Sequence, residues 1–154
     1  MSGKHAASLG IRRLTKAPVV RKSPGGAHLA ATPSLTADQV RQGLPMSVLI
    51  DLASQLNVER GTLLQVLGTS LRTLQRKAEG RERLGAAASD RLARVARILN
   101  LASHVFGETP KASAWLTSKS RALGGEIPLY MLDTDIGTER VQQELRQIEF
   151  GMPF

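Results

Sequence analysis

The chain has 154 residues, and 42% of them are hydrophobic, which suits one ordinary domain or two small modules on a shared core. Aromatic residues are only 3%, so the core must be aliphatic, and an aliphatic core favours helices. The absence of Cys excludes disulfide scaffolds, zinc fingers and thiol catalysis. Because no apolar run approaches the ~18 residues of a membrane span and the N-terminus lacks a secretory signal, we expect a cytoplasmic protein without membrane contact.

The net charge of +8 is concentrated in two segments. Residues 1–34 contribute +6 without a single acid and residues 68–98 contribute +5, whereas residues 99–154 sum to −2. Positive charge of this density suggests a polyanionic partner or a membrane surface. Residues 1–34 are rich in Ser, Ala, Gly and Pro and lack an apolar period, so we predict a disordered tail. The tail could be a DNA-binding arm or a solvated segment without a specific role.

The first predicted helices lie between residues 34 and 79. Ser34-Leu35-Thr36-Ala37-Asp38 is typical of a capped helix start, and Gly43-Leu44-Pro45 ends that helix. Helical spacing predicts further helices over residues 47–56 and 59–67, with Gly68 beyond the second. A fourth helix over residues 71–79 follows a Thr69-Ser70 cap. We predict that its Leu71 and Leu74 face the core.

This order, with a tight glycine turn between the last two helices, is typical of a helix-turn-helix whose second helix enters the major groove. Arg can contact guanine with two hydrogen bonds, Gln can contact adenine, and a Ser at the helix start can reach phosphate. The alternative is an ordinary solvated helix face. The candidate DNA-contacting residues are Ser70, Arg72, Thr73, Gln75, Arg76, Lys77, Arg81 and Arg83.

The next predicted helix has the most regular apolar stripe of the chain. Ser89-Asp90 is its predicted cap, and Gly107 ends it. Its off-stripe arginines could contact the DNA backbone, but we interpret them as a solvated face, which is the more usual arrangement. The stripe consists of Leu92, Val95, Ala96, Leu99, Ala102 and Phe106, and the off-stripe residues are Arg91, Arg94 and Arg97.

Three shorter helical segments are predicted after Gly107. Pro110 indicates an early position in the first of them, and residues 128–132 form a helical turn. Asp133-Thr134-Asp135 caps a last helix, in which Val141, Leu145 and Ile148 share one face. The chain ends with Phe150-Gly151-Met152-Pro153-Phe154, whose apolar side chains need a partner or the core to cover them.

The C-terminal third carries a family resemblance. Its ordered pieces are Ala114-Trp115-Leu116, Ala122-Leu123-Gly124-Gly125, Pro128-Leu129, Leu132-Asp133-Thr134, Gly137, Val141, Leu145 and Ile148-Glu149-Phe150-Gly151. Upstream stand Arg72-Thr73-Leu74-Gln75-Arg76, Leu84 and Ser89-Asp90-Arg91-Leu92. Together they resemble the Xre/MbcA/ParS toxin-binding antitoxins with their Xre-like helix-turn-helix module. The resemblance spans residues 44–154.

The resemblance implies a bacterial type II antitoxin whose partner is a toxin with a RES domain, a fold similar to ADP-ribosyltransferases that consumes NAD. Family members cover the NAD pocket with their C-terminal region, and the complex binds its own promoter. We expect Glu149 and the terminal carboxylate to mimic phosphate while the Phe rings replace the NAD bases. In the alternative, Ile148 and Phe150 close the chain's own core. The candidate toxin-contacting residues are Leu123, Gly124, Gly125, Glu149, Phe150, Gly151, Met152, Pro153 and Phe154.

We therefore expect an all-α fold, a helix-turn-helix bundle followed by a small helical toxin-binding domain. The expected division is a basic tail over 1–34, the Xre-like domain over 35–101 and the toxin-binding domain over 102–154. Since we find no P-loop, no His-Glu-x-x-His pair and no metal-ligand set, we expect neither enzymatic activity nor a cofactor. The predicted partners are a RES-domain toxin and operator DNA, in a homodimer or a larger toxin–antitoxin complex. The alternative is a stand-alone transcription regulator whose C-terminal domain only dimerises.

Overall fold

The structure, a computed structural model, describes residues 34–73 and 83–151. The described helices are α1 (Ala37–Gln42), α2 (Met46–Gln55), α3 (Arg60–Val66), α4 (Ala86–Phe106), α5 (Thr109–Leu116), α6 (Pro128–Met131) and α7 (Asp135–Glu149). Residues 71–73 are helical as well. These residues include no strand, and Pro45 and Arg83 form an isolated antiparallel bridge. The predicted all-α fold is confirmed.

The predicted helix boundaries hold where local capping chemistry decides them. Thr36 caps α1 in a reciprocal capping box with Gln39. Thr134 caps α7 by accepting a 3.1 Å hydrogen bond from the backbone N–H of Gly137. Pro110 lies in the first turn of α5, and Gly107 ends α4 in the left-handed conformation. None of the helices in the described ranges is long and apolar enough to cross a membrane.

The central element is α4, which packs against α1, α5 and α7. Its stripe of Leu92, Val95 and Leu99 is fully buried, as the period of the sequence predicts. The predicted domain boundary at residues 101 and 102 falls inside this helix, so the two parts of the chain share one element and one apolar core. The exact boundaries stay predictions.

Two local predictions are wrong. Ser89 does not cap α4, because the helix begins three residues earlier at Ala86. The Ser89 hydroxyl is buried instead, where it accepts from the backbone N–H of Leu44 at 2.8 Å and donates to the carbonyl of Leu84. Leu71 does not face the core, since 48% of it is exposed at the first turn of its helix. Leu74 lies outside the described residues.

The start of α7 packs directly on the end of α6. A Cβ atom on Gly137 would overlap the carbonyl oxygen of Met131 and crowd the Thr134 hydroxyl, so only glycine fits there. Leu129 and Leu132 are fully buried beneath this contact. The close approach fixes the direction in which α7 leaves the core, and with it the outward face of that helix.

Candidate functional site

Two hydrogen bonds and one left-handed glycine define the turn before the predicted DNA-reading helix. The guanidinium of Arg91 on α4 donates to the carbonyl of Leu67 at 2.8 Å. Gly68 follows with φ +67°, a left-handed conformation that favours glycine. The Ser70 hydroxyl then accepts from the backbone N–H of Thr73 at 3.1 Å, so the predicted cap is confirmed.

Of the candidate DNA-contacting residues, Ser70, Arg72, Thr73 and Arg83 lie within the described part of the chain. Arg72 is exposed, Thr73 is half-buried, and the Ser70 and Thr73 hydroxyls lie 2.9 Å apart in a mutual hydrogen bond. Ser70 therefore uses its hydroxyl within the helix start, which leaves Arg72 as the solvent-facing candidate. The predicted contacts Gln75, Arg76, Lys77 and Arg81 lie outside the described residues, and their role stays a prediction.

Arg83 has a structural contact in addition to its predicted DNA role. Its guanidinium donates to the carbonyl of Gly43 at 2.8 Å, and the adjacent Leu84 N–H donates to the Leu44 carbonyl at 2.8 Å. Gly43 has φ +87°, and a Cβ atom there would overlap the Leu84 carbonyl oxygen. Arg83 thus ties the start of the α4 segment to the α1–α2 connection.

The interpretation of Arg91 and Arg94 as a solvated face is wrong. Arg91 holds the turn after α3, as described above. The Arg94 side chain is 10% exposed and lies 2.6 Å from a carboxylate oxygen of Asp135 and 3.1 Å from one of Asp90. It also reaches the Leu132 carbonyl at 3.4 Å. Arg91 and Arg94 therefore connect α4 to the two candidate surfaces. Their position outside the apolar stripe does not reveal these contacts, because charged residues off the stripe are ordinarily assigned to solvent.

The second candidate surface includes the loop of residues 117–127, here called the glycine loop. Its backbone is closed by its own hydrogen bonds, including those from the Gly125 and Ser120 N–H groups to the Ser120 and Glu126 carbonyls. Leu123 is buried in the core, so this predicted toxin contact anchors the loop. Gly124 and Gly125 are exposed with φ +72° and +82°, and a Cβ on either would meet open space. The loop therefore presents bare backbone on a fixed base.

The glycine loop lies along α7, and two grooves separate them. The larger, of about 750 Å³, brings Lys119 and Gly125 of the loop near Ile136 and Arg140 of α7. The smaller, of about 170 Å³, is lined by Leu123, Arg140, Gln143 and Gln147 among others. Residues spaced by three and four along α7 share one side of the helix. We call this side, next to both grooves, the α7 face; it comprises Ile136, Arg140, Gln143, Gln147 and Phe150.

The predicted toxin contacts at the end of α7 lie on different sides of the helix. Phe150 is 71% exposed, so the alternative in which it closes the domain core is wrong. Glu149 points to another side of the helix, where a carboxylate oxygen lies 3.6 Å from Nε2 of His104 on α4. Gly151 is exposed with φ +60°, and Met152, Pro153 and Phe154 lie outside the described residues.

Sequence reasoning missed Ile136. It is the most exposed large hydrophobic residue of the described chain, at 75%. Its signal was present in the pattern, because Val141, Leu145 and Ile148 define the buried stripe of α7 and Ile136 falls outside it. An apolar residue on the polar side of an amphipathic helix indicates a contact that the isolated chain does not satisfy.

Ionisable groups near this surface are shifted by burial alone. Burial raises the pKa of the Glu144 carboxyl on α7 and the pKa of the Tyr130 hydroxyl on α6. Within residues 34–73 and 83–151, no three His, Asp or Glu side chains converge into a possible metal site.

Comparisons with known proteins match two family domains to the chain, and the boundary between the two matches falls inside α4. Residues 36–97 match the family described as the antitoxin Xre-like helix-turn-helix domain, and residues 101–151 match the antitoxin Xre/MbcA/ParS C-terminal toxin-binding domain. Antitoxin Xre of Photorhabdus laumondii is 30% identical over 131 residues, 84% of each chain. Antitoxin Xre of Pseudomonas putida is 41% identical over 96 residues, 60% of each chain. A Sphingobium protein named Prs ADP-ribosylating antitoxin is 26% identical over 121 residues, 73% of this chain and 76% of its own.

Proposed function

Because the chain belongs to the Xre/MbcA/ParS antitoxin family, we propose that it neutralises a RES-domain toxin by covering the toxin's NAD pocket with its C-terminal region. The match of residues 101–151 to a toxin-binding domain is the observation on which the proposal rests. The name of the Sphingobium relative supports the chemistry, since it associates an antitoxin with ADP-ribosylation, a reaction that consumes NAD.

The geometry of the C-terminal segment fits this role. Helix α7 ends at Glu149, and Phe150 and Gly151 continue it into solvent. A pocket that holds the pyrophosphate of NAD is positively polarised, so it favours an inserted segment that carries negative charge. The Phe150 ring, free of the chain's own core, is available to pack in such a pocket.

The helix-turn-helix domain supports a second part of the proposal, repression of the chain's own operon. The capped helix start at Ser70 places Arg72 in solvent at the end that reads bases in proteins of this motif. We propose that residues 70–77 contact operator DNA, with Arg81 and Arg83 on the backbone. Because such a module binds half-sites, we propose a homodimer or a larger complex bridged by the toxin.

Co-expression with the RES-domain toxin tests neutralisation. We expect the full chain to restore growth and cellular NAD and to co-purify with the toxin. We expect a chain truncated before Phe150 to fold with an unchanged melting temperature, retain DNA binding and fail to protect. Full protection by the truncated chain would contradict the covering segment, and absence of binding by the full chain would contradict the toxin assignment.

Operator binding has its own test. Arg72→Ala should weaken binding by about 1–3 kcal/mol and relax sequence preference if Arg72 contacts a base. Arg146→Ala is the matched control, because Arg146 is also exposed but lies on α7. Equal operator affinity of the Arg72→Ala protein and the wild type, measured by fluorescence anisotropy, would remove Arg72 from the DNA surface.

A further inference from the structure

The described C-terminal residues expose two large hydrophobic side chains, and both lie on the α7 face. Ile136 is 75% and Phe150 is 71% exposed. They are separated by four helical turns, or ~21 Å along the axis. Since the other large hydrophobic residues of α7 are buried or half-buried, this pair is a feature of one face and not a general property of the helix.

The region between the two side chains is polar. Arg140 lies there, lines both grooves, and takes part in none of the ion pairs formed within the described residues. Gln143 and Gln147 offer amide groups on the same side. The exposed backbone of Gly125 borders the larger groove, where no side chain limits the approach of another molecule.

We propose that the α7 face docks on the toxin beside its NAD pocket, with Ile136 as the remote anchor outside the pocket and Phe150 as the anchor at the pocket. The inference rests on the proposed toxin-neutralising function. The complementary toxin surface has two apolar recesses about 20 Å apart, with a carboxylate between them opposite Arg140. The α7 face in this arrangement sets the direction in which the last residues enter the pocket.

A second copy of this chain fits the α7 face less well. The antiparallel pairing that places Ile136 on Phe150 of the second copy leaves Arg140 without an opposing carboxylate, because none of the five residues of the α7 face is acidic. The footprint of four helical turns, ~20 Å by ~10 Å, is far below the roughly 800 Å² per partner of a stable dimer. Toxin binding has no such shortfall, because the C-terminal segment supplies further area.

Ile136→Asp tests the remote anchor. The substitution places an acid in the first turn of α7, where the helix dipole favours negative charge. Because the Ile136 side chain is exposed, its removal leaves no cavity in the core, and we expect the fold to be retained. Ala114→Asp is the matched control, since it adds the same charge at an exposed helical position of the same domain outside the α7 face. We expect Ile136→Asp to weaken binding to the purified RES-domain toxin about 10-fold or more by calorimetry, with Ala114→Asp close to wild type.

The outcomes separate the inference from the function beneath it. Wild-type affinity in the Ile136→Asp protein would overturn the α7 face while leaving neutralisation intact. No binding by the wild-type chain would overturn the proposed function itself. A lower mass of the Ile136→Asp protein alone, by sedimentation, would assign the face to a second copy and also overturn the inference. Arg140→Gln should reduce the salt dependence of toxin binding, and an unchanged dependence would remove the opposing carboxylate.

Discussion

The two candidate surfaces differ in what holds them in place. At the predicted DNA-reading helix, individual side chains hold the backbone, because Ser70 caps that helix and Arg91 holds the preceding turn. At the candidate toxin surface, backbone approach contributes as well, since Gly137 packs on the Met131 carbonyl and the glycine loop bonds to itself. The toxin surface is therefore set before any partner arrives, and substitutions should affect the two sides through different physical causes.

Replacing one glycine of α7 and one of α3 with alanine should give the largest difference in stability between the two sides. Gly137→Ala puts a methyl group into the Met131 carbonyl oxygen, so α6 and α7 must separate. We expect a loss of about 3 kcal/mol or more in the free energy of unfolding, measured in urea, and a weakened toxin complex.

Gly61→Ala is the matched control on the other side. Gly61 lies in α3, and a Cβ atom there meets nothing within 4 Å. The same substitution should therefore stabilise the protein by about 0.5–1 kcal/mol, because alanine loses less backbone entropy in a helix. If Gly137→Ala and Gly61→Ala changed the free energy of unfolding in the same direction, the close approach at Gly137 would be contradicted.

Substitutions of two arginines of α4 should have effects of intermediate size on the free energy of unfolding. Arg94→Met removes an ion pair with Asp135 and a contact to the Leu132 carbonyl from a side chain that is 10% exposed. We expect a loss of about 1–2 kcal/mol and weaker toxin binding, because the start of α7 is released. Arg91→Met removes one hydrogen bond to Leu67 and should cost about 1 kcal/mol.

The binding measurements test whether each arginine serves one surface. Arg91→Met should lower operator affinity more than toxin affinity, and Arg94→Met should do the reverse. If both variants lowered both affinities equally, α4 would respond as one rigid unit and the distinction between the surfaces would fail.

Local chemistry explains which parts of the fold the sequence predicts. The Thr36 and Thr134 caps and the α4 stripe follow from residue type and spacing, and the structure confirms them. The Ser89 cap is wrong because a tertiary hydrogen bond to Leu44 uses its hydroxyl, while Ala86 and its neighbours extend the helix. Such contacts join residues far apart in the chain, and no local pattern reports them.

The candidate site divides in the same way. Gly124, Gly125 and Phe150 are exposed, and their contact with a toxin stays a prediction. Leu123 has the correct neighbourhood but faces the core, since the loop needs an anchor. Arg94 escaped prediction because its two carboxylates come from different helices, one of them 41 residues away in sequence.

The smallest expected effect concerns Glu144, an acid buried on the toxin side of the chain. Burial raises the pKa of its carboxyl above the usual value, so the folded state favours the protonated form. Its contribution to stability is then fully present below the unfolded pKa and is lost as the pH rises through the folded pKa. Glu144→Gln should therefore stabilise the protein at pH 7, by less than about 1 kcal/mol, and the gain should vanish near pH 4.

Glu139→Gln distinguishes this cause from a general effect of charge, because Glu139 is exposed on the same helix. Both substitutions remove one negative charge from α7, yet only the buried one removes a desolvation cost, so the pH-dependent gain should appear in Glu144→Gln alone. Urea unfolding at a series of pH values measures it. A parallel pH dependence in both variants would mean that net charge on α7, and not burial of one carboxyl, controls the stability of the toxin side.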